Sequence, residues 1–232
     1  MRRFYSEVEV SSDPQGFLVE LDARPVMSPG KNHLILPSRG LADAVAAEWR
    51  VQGEKIKPYT MPLMSLASTA IDRVKPCPMR TITSIAAYAQ TDLLCYRASE
   101  PEQLVVLQNK AWQPLLDWCG VVIGKPFAVT AGVMPIEQTA ALEASLTKLV
   151  TKYDLFSLMG LYQLTNISGS VVIGLAIVEG HIKAIEGIKA AQIDDLYQIE
   201  AWGKDTEATA RISRERKEMQ EVAEFLRLAR GE

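Results

Sequence analysis

The chain has 232 residues, 48% hydrophobic and 23% charged, enough for one large domain or two small ones that need no metal or disulfide to fold. A net charge of −3 lacks the basic face that nucleic-acid binding usually demands and gives no attraction to anionic lipid. The three cysteines, Cys77, Cys95 and Cys119, are odd in number and widely spaced, which argues against a disulfide framework and for reduced thiols in a cytosol-like compartment.

The first forty residues read as antiparallel strands. Residues 4–10 alternate, 12–16 (SDPQG) form a turn, 16–26 alternate again, and HLILPS at 33–38 follows the Pro29-Gly30 turn. So few strands do not stand alone, so the sheet is predicted to lean on helices. Ser38 is placed to cap a helix running past Leu41, Val45 and Trp49 to Gly53. Pro58 and Pro62 lead into a second helix over 63–74. Pro76 and Pro78 break the chain and bracket a hinge. The predicted division is a β-rich N-terminal domain with one or two helices, 1–76, and a helical C-terminal domain, 77–232. The fold class is α+β, a small antiparallel β subdomain followed by a larger multihelical domain.

A helix is predicted over 80–94. Pro101 stands at the first position of another, which runs through Leu104, Leu107, Trp112, Leu115 and Cys119. Residues 120–135 look irregular, and Pro135 opens a helix to Tyr153. From 155 to 178 no charge appears, long enough to cross a bilayer. Gln163, Thr165, Asn166, Ser168 and Ser170 and the lack of basic flanks favour instead a buried helical hairpin, broken at 167–170. One helix is predicted over 183–202, closed by Gly203, and a last one over 205–229 with Ile212, Met219, Val222, Ala223 and Leu226 on its inner stripe.

No stretch of the sequence has the spacing of a known reaction centre. GVVIGKP at 120–126 has three residues between its glycines instead of four, and Pro126 stands where a phosphate loop needs Ser or Thr. His33 and His181 have no ligand at metal spacing. Ser170 lies in Gly-Ser-Val, not in a nucleophile elbow. Asp194 and Asp195, adjacent on a helix, point about 100° apart. Cys95 and Cys119 read as small core residues, and no cofactor or metal is expected. Glu200, close to a helix C-terminus, is slightly disfavoured by the dipole, which leaves open a structural partner or a binding role.

Several phrases stand out: LDARPVMSP at 21–29, Glu48-Trp49, MPLMSLASTAID at 61–72, YAQTDLLCYR at 88–97, WQPLLDW at 112–118 and IEAWGKDTEA at 199–208. In order and spacing they resemble the assembly chaperones of the F1 sector of ATP synthase, the group called ATP synthase assembly factor 2 in animals. The resemblance runs from Arg3 to about Leu228. It implies a β subdomain with a helical domain, no enzymatic activity, no nucleotide, and binding of the unassembled α subunit to shield its subunit interface. It gives partner-binding weight to Glu200 and Trp202 in the I-E-x-W-G motif and to Trp49 in the E-W motif, although a Trp on a helix's inner stripe also reads as core. Ala23 stands where the family commonly has Gly, Gln113 where Asp is usual, and Ile212-Ser213 where a basic pair is common, which puts an Arg-mediated contact near Arg211 in doubt. The N-terminus MRRFYSEVEV reads as neither signal nor presequence, so the expectation is a bacterial, cytoplasmic, monomeric member without membrane insertion. The alternative is a metal-free soluble enzyme using Glu200 and nearby acids.

Overall fold

A computed structural model describes residues 2–132, 135–203 and 205–232. It groups into two compact units. One holds the chain up to Pro78 with 154–160 and 221–232; the other holds 79–153 and 161–220.

In the first unit, β1 (Val8–Asp13), β2 (Gly16–Leu21) and β3 (Arg24–Pro25) form an antiparallel sheet in the order β1-β2-β3. The β2–β3 turn places Asp22 at φ 48° and Ala23 at φ 61°. Both are left-handed conformations that only Gly adopts without cost. Asp22 offsets part of it, because its carboxylate accepts the N–H groups of Ser6 at 3.0 Å and Glu7 at 2.8 Å. The predicted third strand, HLILPS, makes only isolated bridges, Phe17 to Leu36 and Met27 to His33. Its Leu34 and Leu36 are nevertheless fully buried. It behaves as a packed loop because the chain must turn to reach the helix that follows.

That helix, α1 (Arg39–Arg50), starts at Ser38 as expected, with Ser38 Oγ accepting the Leu41 N–H, and packs on β1 and β2. It ends at Arg50, short of Gly53. The stretch over 63–74 is not uniform: α2 (Pro62–Thr69) passes into a π-helical turn, Ala70–Val74. The turn delivers Asp72 to the SPGKN loop. There its carboxylate accepts the Ser28 hydroxyl, the Gly30 N–H at 2.7 Å and the Asn32 amide at 2.8 Å. A Cβ on Gly30 would lie 2.7 Å from that carboxylate, so this glycine is required by close approach. Burial tends to raise the Asp72 pKa, but these three donors together hold it below the ordinary carboxylate range.

In the second unit, α3 (Pro78–Ala87) is shorter than the predicted 80–94, and two 3₁₀ turns follow it. The break is made by Asp92, whose side chain caps the second turn through the Leu94 N–H. β4 (Tyr96–Arg97) and β5 (Thr130–Ala131) pair in parallel. Between them α4 (Glu102–Ile123) continues through Pro114. Pro101 is its N-cap, extended at φ −76° and ψ 160°, one position earlier than expected, and Gly124 at φ 75° ends it. The glycines of GVVIGKP therefore lie in and at the end of a helix, and no phosphate loop forms.

Residues 135–139 are not helical; Thr139 caps α5 (Ala140–Val150), so Pro135 does not open the helix. The uncharged stretch is the expected hairpin, α6 (Leu155–Ser168) and α7 (Val171–Val178), with Gly169 at φ 68° in the break. Every residue of α7 is buried. Among the described residues no helix is long and apolar enough to cross a membrane.

The single helix predicted over 183–202 is two, α8 (Ala184–Ala191) and α9 (Ile193–Trp202). They part at Gln192, whose buried amide donates to the Ile212 carbonyl at 3.0 Å. That carbonyl lies on α10 (Thr206–Ala229), which carries the predicted inner stripe: Ile212, Met219, Val222 and Leu226 are buried and Ala223 partly so. In the second unit α4 packs against α5, α7, α8 and α9, with Trp112 wholly buried at its middle and its indole N–H donated to the Ala190 carbonyl at 2.8 Å.

Candidate functional site

The E-W motif divides its labour. Glu48 turns back to the start of α2, where its two carboxylate oxygens accept the N–H groups of Leu63 at 2.8 Å and Met64 at 2.9 Å. Pro62 at the first helical position leaves those donors free to be capped. Burial nevertheless dominates and pushes the Glu48 carboxyl up to about 6. Trp49, one residue on, is half-buried: its carbonyl accepts the Tyr5 hydroxyl at 2.7 Å, and its ring meets Tyr5 edge-on. Its other side lines a cavity of about 450 Å³ shared with Ile56, Met27, Met61 and Met64.

Glu200 and Trp202 both lie at the C-terminal end of α9, two positions apart and so on different faces of the helix. Trp202 is 80% exposed, and Gly203 at φ 94° ends the helix, its N–H donated to the Ile199 carbonyl at 3.0 Å. The ψ of 171° places Gly203 outside the left-handed helical region usual for a C′ glycine. Glu200 is exposed and lines an open groove of about 570 Å³ with Tyr197 and Ala201 of α9 and Glu102, Val106 and Leu107 of α4. Val106 is 56% and Leu107 47% exposed, large apolar side chains on a face that nothing in the unit covers. Among the described residues no hydrogen bond or ion pair holds Glu200 in place. The adjacent acids are engaged: Asp194 accepts the Gln108 amide at 2.7 Å, and Asp195 pairs with Arg211 at 2.7 Å, a contact present without the usual basic pair at 212–213.

The sequence does not mark the α4 side of the groove. Val106 and Leu107 fall within an apolar run that reads as core, and periodicity does not say which face lacks a neighbour. The cavity residues Met27 and Ser68 lie inside the quoted phrases, but nothing in those phrases says that they share a cavity.

Elsewhere the groups able to do chemistry have structural work. Cys95 and Cys119 are buried, and burial pushes the Cys95 thiol up to about 12 and Cys119 in the same direction. Cys77, unlike them, is exposed. His181 stacks on Trp118 with ring centroids 4.4 Å apart. Among the described residues no group of three or more His, Cys, Asp or Glu could hold a metal.

A family model described as ATP12 chaperone protein matches residues 2–120. The crystal structure of Atp12 from Paracoccus denitrificans is 37% identical, with a TM-score of 0.93 over 98% of this chain and 98% of that one. An aspartate-to-lysine mutant of the Paracoccus protein matches at the same identity and TM-score over 98% of this chain and 97% of its own. A candidate chaperone from Agrobacterium tumefaciens is 35% identical, with a TM-score of 0.91 over 97% of this chain and 85% of its own. The order of the phrases, the fold that carries them and these matches agree: the chain belongs to the ATP12 chaperone family, the assembly chaperones of ATP synthase.

Proposed function

We propose that the protein is an ATP-independent holder of the unassembled α subunit of the F1 sector, shielding the surface that later meets its neighbour. It acts as a monomer in the bacterial cytoplasm and has no catalytic role. The observation that carries this reading is the end of α9, where exposed Glu200 lines a groove with the uncovered Val106 and Leu107, and Trp202 stands exposed two positions further on. Exposed aromatic and aliphatic side chains with a carboxylate at their edge are the composition of a protein-binding patch. An unassembled subunit exposes an interface about as apolar as a divided core, and a holder of lower affinity than the final partner covers it without nucleotide. The enzyme alternative has Glu102 beside Glu200, but both carboxylates are exposed in an open groove, and no metal-holding group is found among the described residues.

The test is retention of purified α subunit by the immobilised chain, together with light scattering of α alone and with the chain. Glu200→Lys is expected to fold normally and to lose both effects. Unchanged aggregation of α and no retention by the wild-type chain would defeat the reading.

A further inference from the structure

Two of the residues that line the cavity beside Trp49 each carry an unpartnered polar atom. The Trp49 indole nitrogen and the Ser68 hydroxyl are both buried and have no hydrogen-bond partner, and both residues line the cavity. Ser68 as a whole is 6% exposed. The great majority of buried polar groups find a partner, and each left alone is destabilising. Such costs persist where a ligand supplies the missing partner.

We propose that this cavity is a peptide subsite, which takes an apolar side chain of an extended client segment together with its backbone amide. An indole N–H can only donate, so it requires an acceptor such as a peptide carbonyl. A serine hydroxyl also accepts and can take the N–H of the same or the next peptide unit. Asp72, the carboxylate among the lining residues, is occupied by Ser28, Gly30 and Asn32 and does not fill the role. The remaining wall is Met27, Met61, Met64 and Ile56. Flexible thioethers adapt to differing apolar side chains, as a holder of unfolded or unassembled chains needs. At about 450 Å³ the cavity is within the range that holds a small ligand and takes only a short stretch of chain. That the occupant is a polypeptide rests on the chaperone reading above; the subsite itself rests on the two unpartnered atoms.

The experiment follows the four indole N–H resonances of the full, ¹⁵N-labelled chain, with the Trp49 signal identified by its loss in Trp49→Phe. The probe is the blocked peptide acetyl-Ala-Leu-Ile-Ala-amide, with blocked tetraglycine and an acceptor-free hydrocarbon as controls. The apolar peptide is expected to move the Trp49 signal downfield and to saturate, while both controls leave it at least tenfold less shifted. Ser68→Ala is expected to leave the melting temperature equal or higher and to weaken the peptide several-fold, a separation that a merely structural serine would not give. Ser65→Trp, at an exposed position on the rim, should abolish saturation. A still Trp49 signal, an equal response to the hydrocarbon, or unchanged affinity in Ser68→Ala overturns the proposal. If α subunit is retained while the Trp49 signal stays still, the subsite alone falls; if the peptide binds and α is not retained, the α-subunit reading falls and the subsite stands.

Discussion

Ser170 donates its hydroxyl to Asp92 at 2.8 Å across 78 residues of sequence, and both side chains are completely buried. Ser170 also caps α7 through the Ile173 N–H, while Asp92 accepts the N–H groups of Leu94 at 3.0 Å and Val172 at 3.1 Å. The TDLL phrase is thereby fastened to the start of the most apolar helix in the chain. Burial outweighs these donors and pushes the Asp92 carboxyl up to about 6.

The sign of the resulting pH dependence is opposite to the usual carboxylate case. Burial pushes the carboxyls of Asp92 and Glu48 up to about 6 in the folded chain, against ordinary values of 3.8 and 4.5. Between those values and 6 the folded chain holds more protons than the unfolded one, so their contribution to stability falls as pH rises and is fully regained only below the unfolded values. For Asp92 the change is on the order of 2–3 kcal/mol across the window. Melting temperatures from pH 4 to 7 should show this slope reduced in Asp92→Asn and further in Asp92→Asn with Glu48→Gln. An identical slope in wild type and double variant would show that neither carboxyl is raised.

Ala23 is the turn residue at which the sequence departs from the common Gly, and its φ of 61° explains why Gly is favoured there. A left-handed non-Gly residue costs roughly 1–2 kcal/mol, partly offset by the greater unfolded freedom of Gly. Ala23→Gly is therefore expected to stabilise the chain by about 1 kcal/mol in urea titration. Asp22→Gly should gain nothing comparable, because it also removes the acceptor for Ser6 and Glu7.

How far the sequence reveals the fold depends on whether a signal is local. Ser38 and the break at 167–170 are legible because a cap or a glycine decides them within a few residues. The split of α8 from α9 is not, because Gln192 is held by a carbonyl twenty positions away. The passage of α4 through Pro114 is legible, because the apolar stripe from Leu104 to Cys119 runs past it although local chemistry argues for a break there. The site divides in the same way. Glu200 and Trp202 stand out through the motif they share, whereas the exposure of Val106 and Leu107 depends on which helix face finds a neighbour.

The two residues of the E-W motif should separate in stability measurements. Glu48→Ala strips the caps from Leu63 and Met64 and is expected to cost about 1–2 kcal/mol. Trp49→Phe keeps the edge contact with Tyr5 and removes only an N–H that has no partner, so it should cost under about 1 kcal/mol. Trp49→Ala, which empties one wall of the cavity, should cost about 3–5 kcal/mol. Urea unfolding of the three variants checks the order. A Trp49→Phe loss as large as that of Trp49→Ala would mean that the indole N–H has a structural partner.

The groove at α9 is acidic at its edge, with Glu102 and Glu200 both lining it. A partner segment that fits it brings apolar side chains for Val106 and Leu107 and basic ones for the two carboxylates. Exposed charges act mainly on the rate of encounter and are screened by salt, while the apolar contact sets the lifetime. Glu102→Lys and Glu200→Lys should therefore each slow association with α subunit several-fold at low salt, converging on wild type at high salt. Val106→Ser with Leu107→Ser should instead speed dissociation at every salt concentration. All of these side chains are exposed and none is expected to shift the melting temperature by more than a few degrees. Association and dissociation rates measured over immobilised chain decide the matter. If the lysine variants lose affinity equally at all ionic strengths, the carboxylates are not acting as steering charges, and Glu200 would instead be a buried contact of the complex.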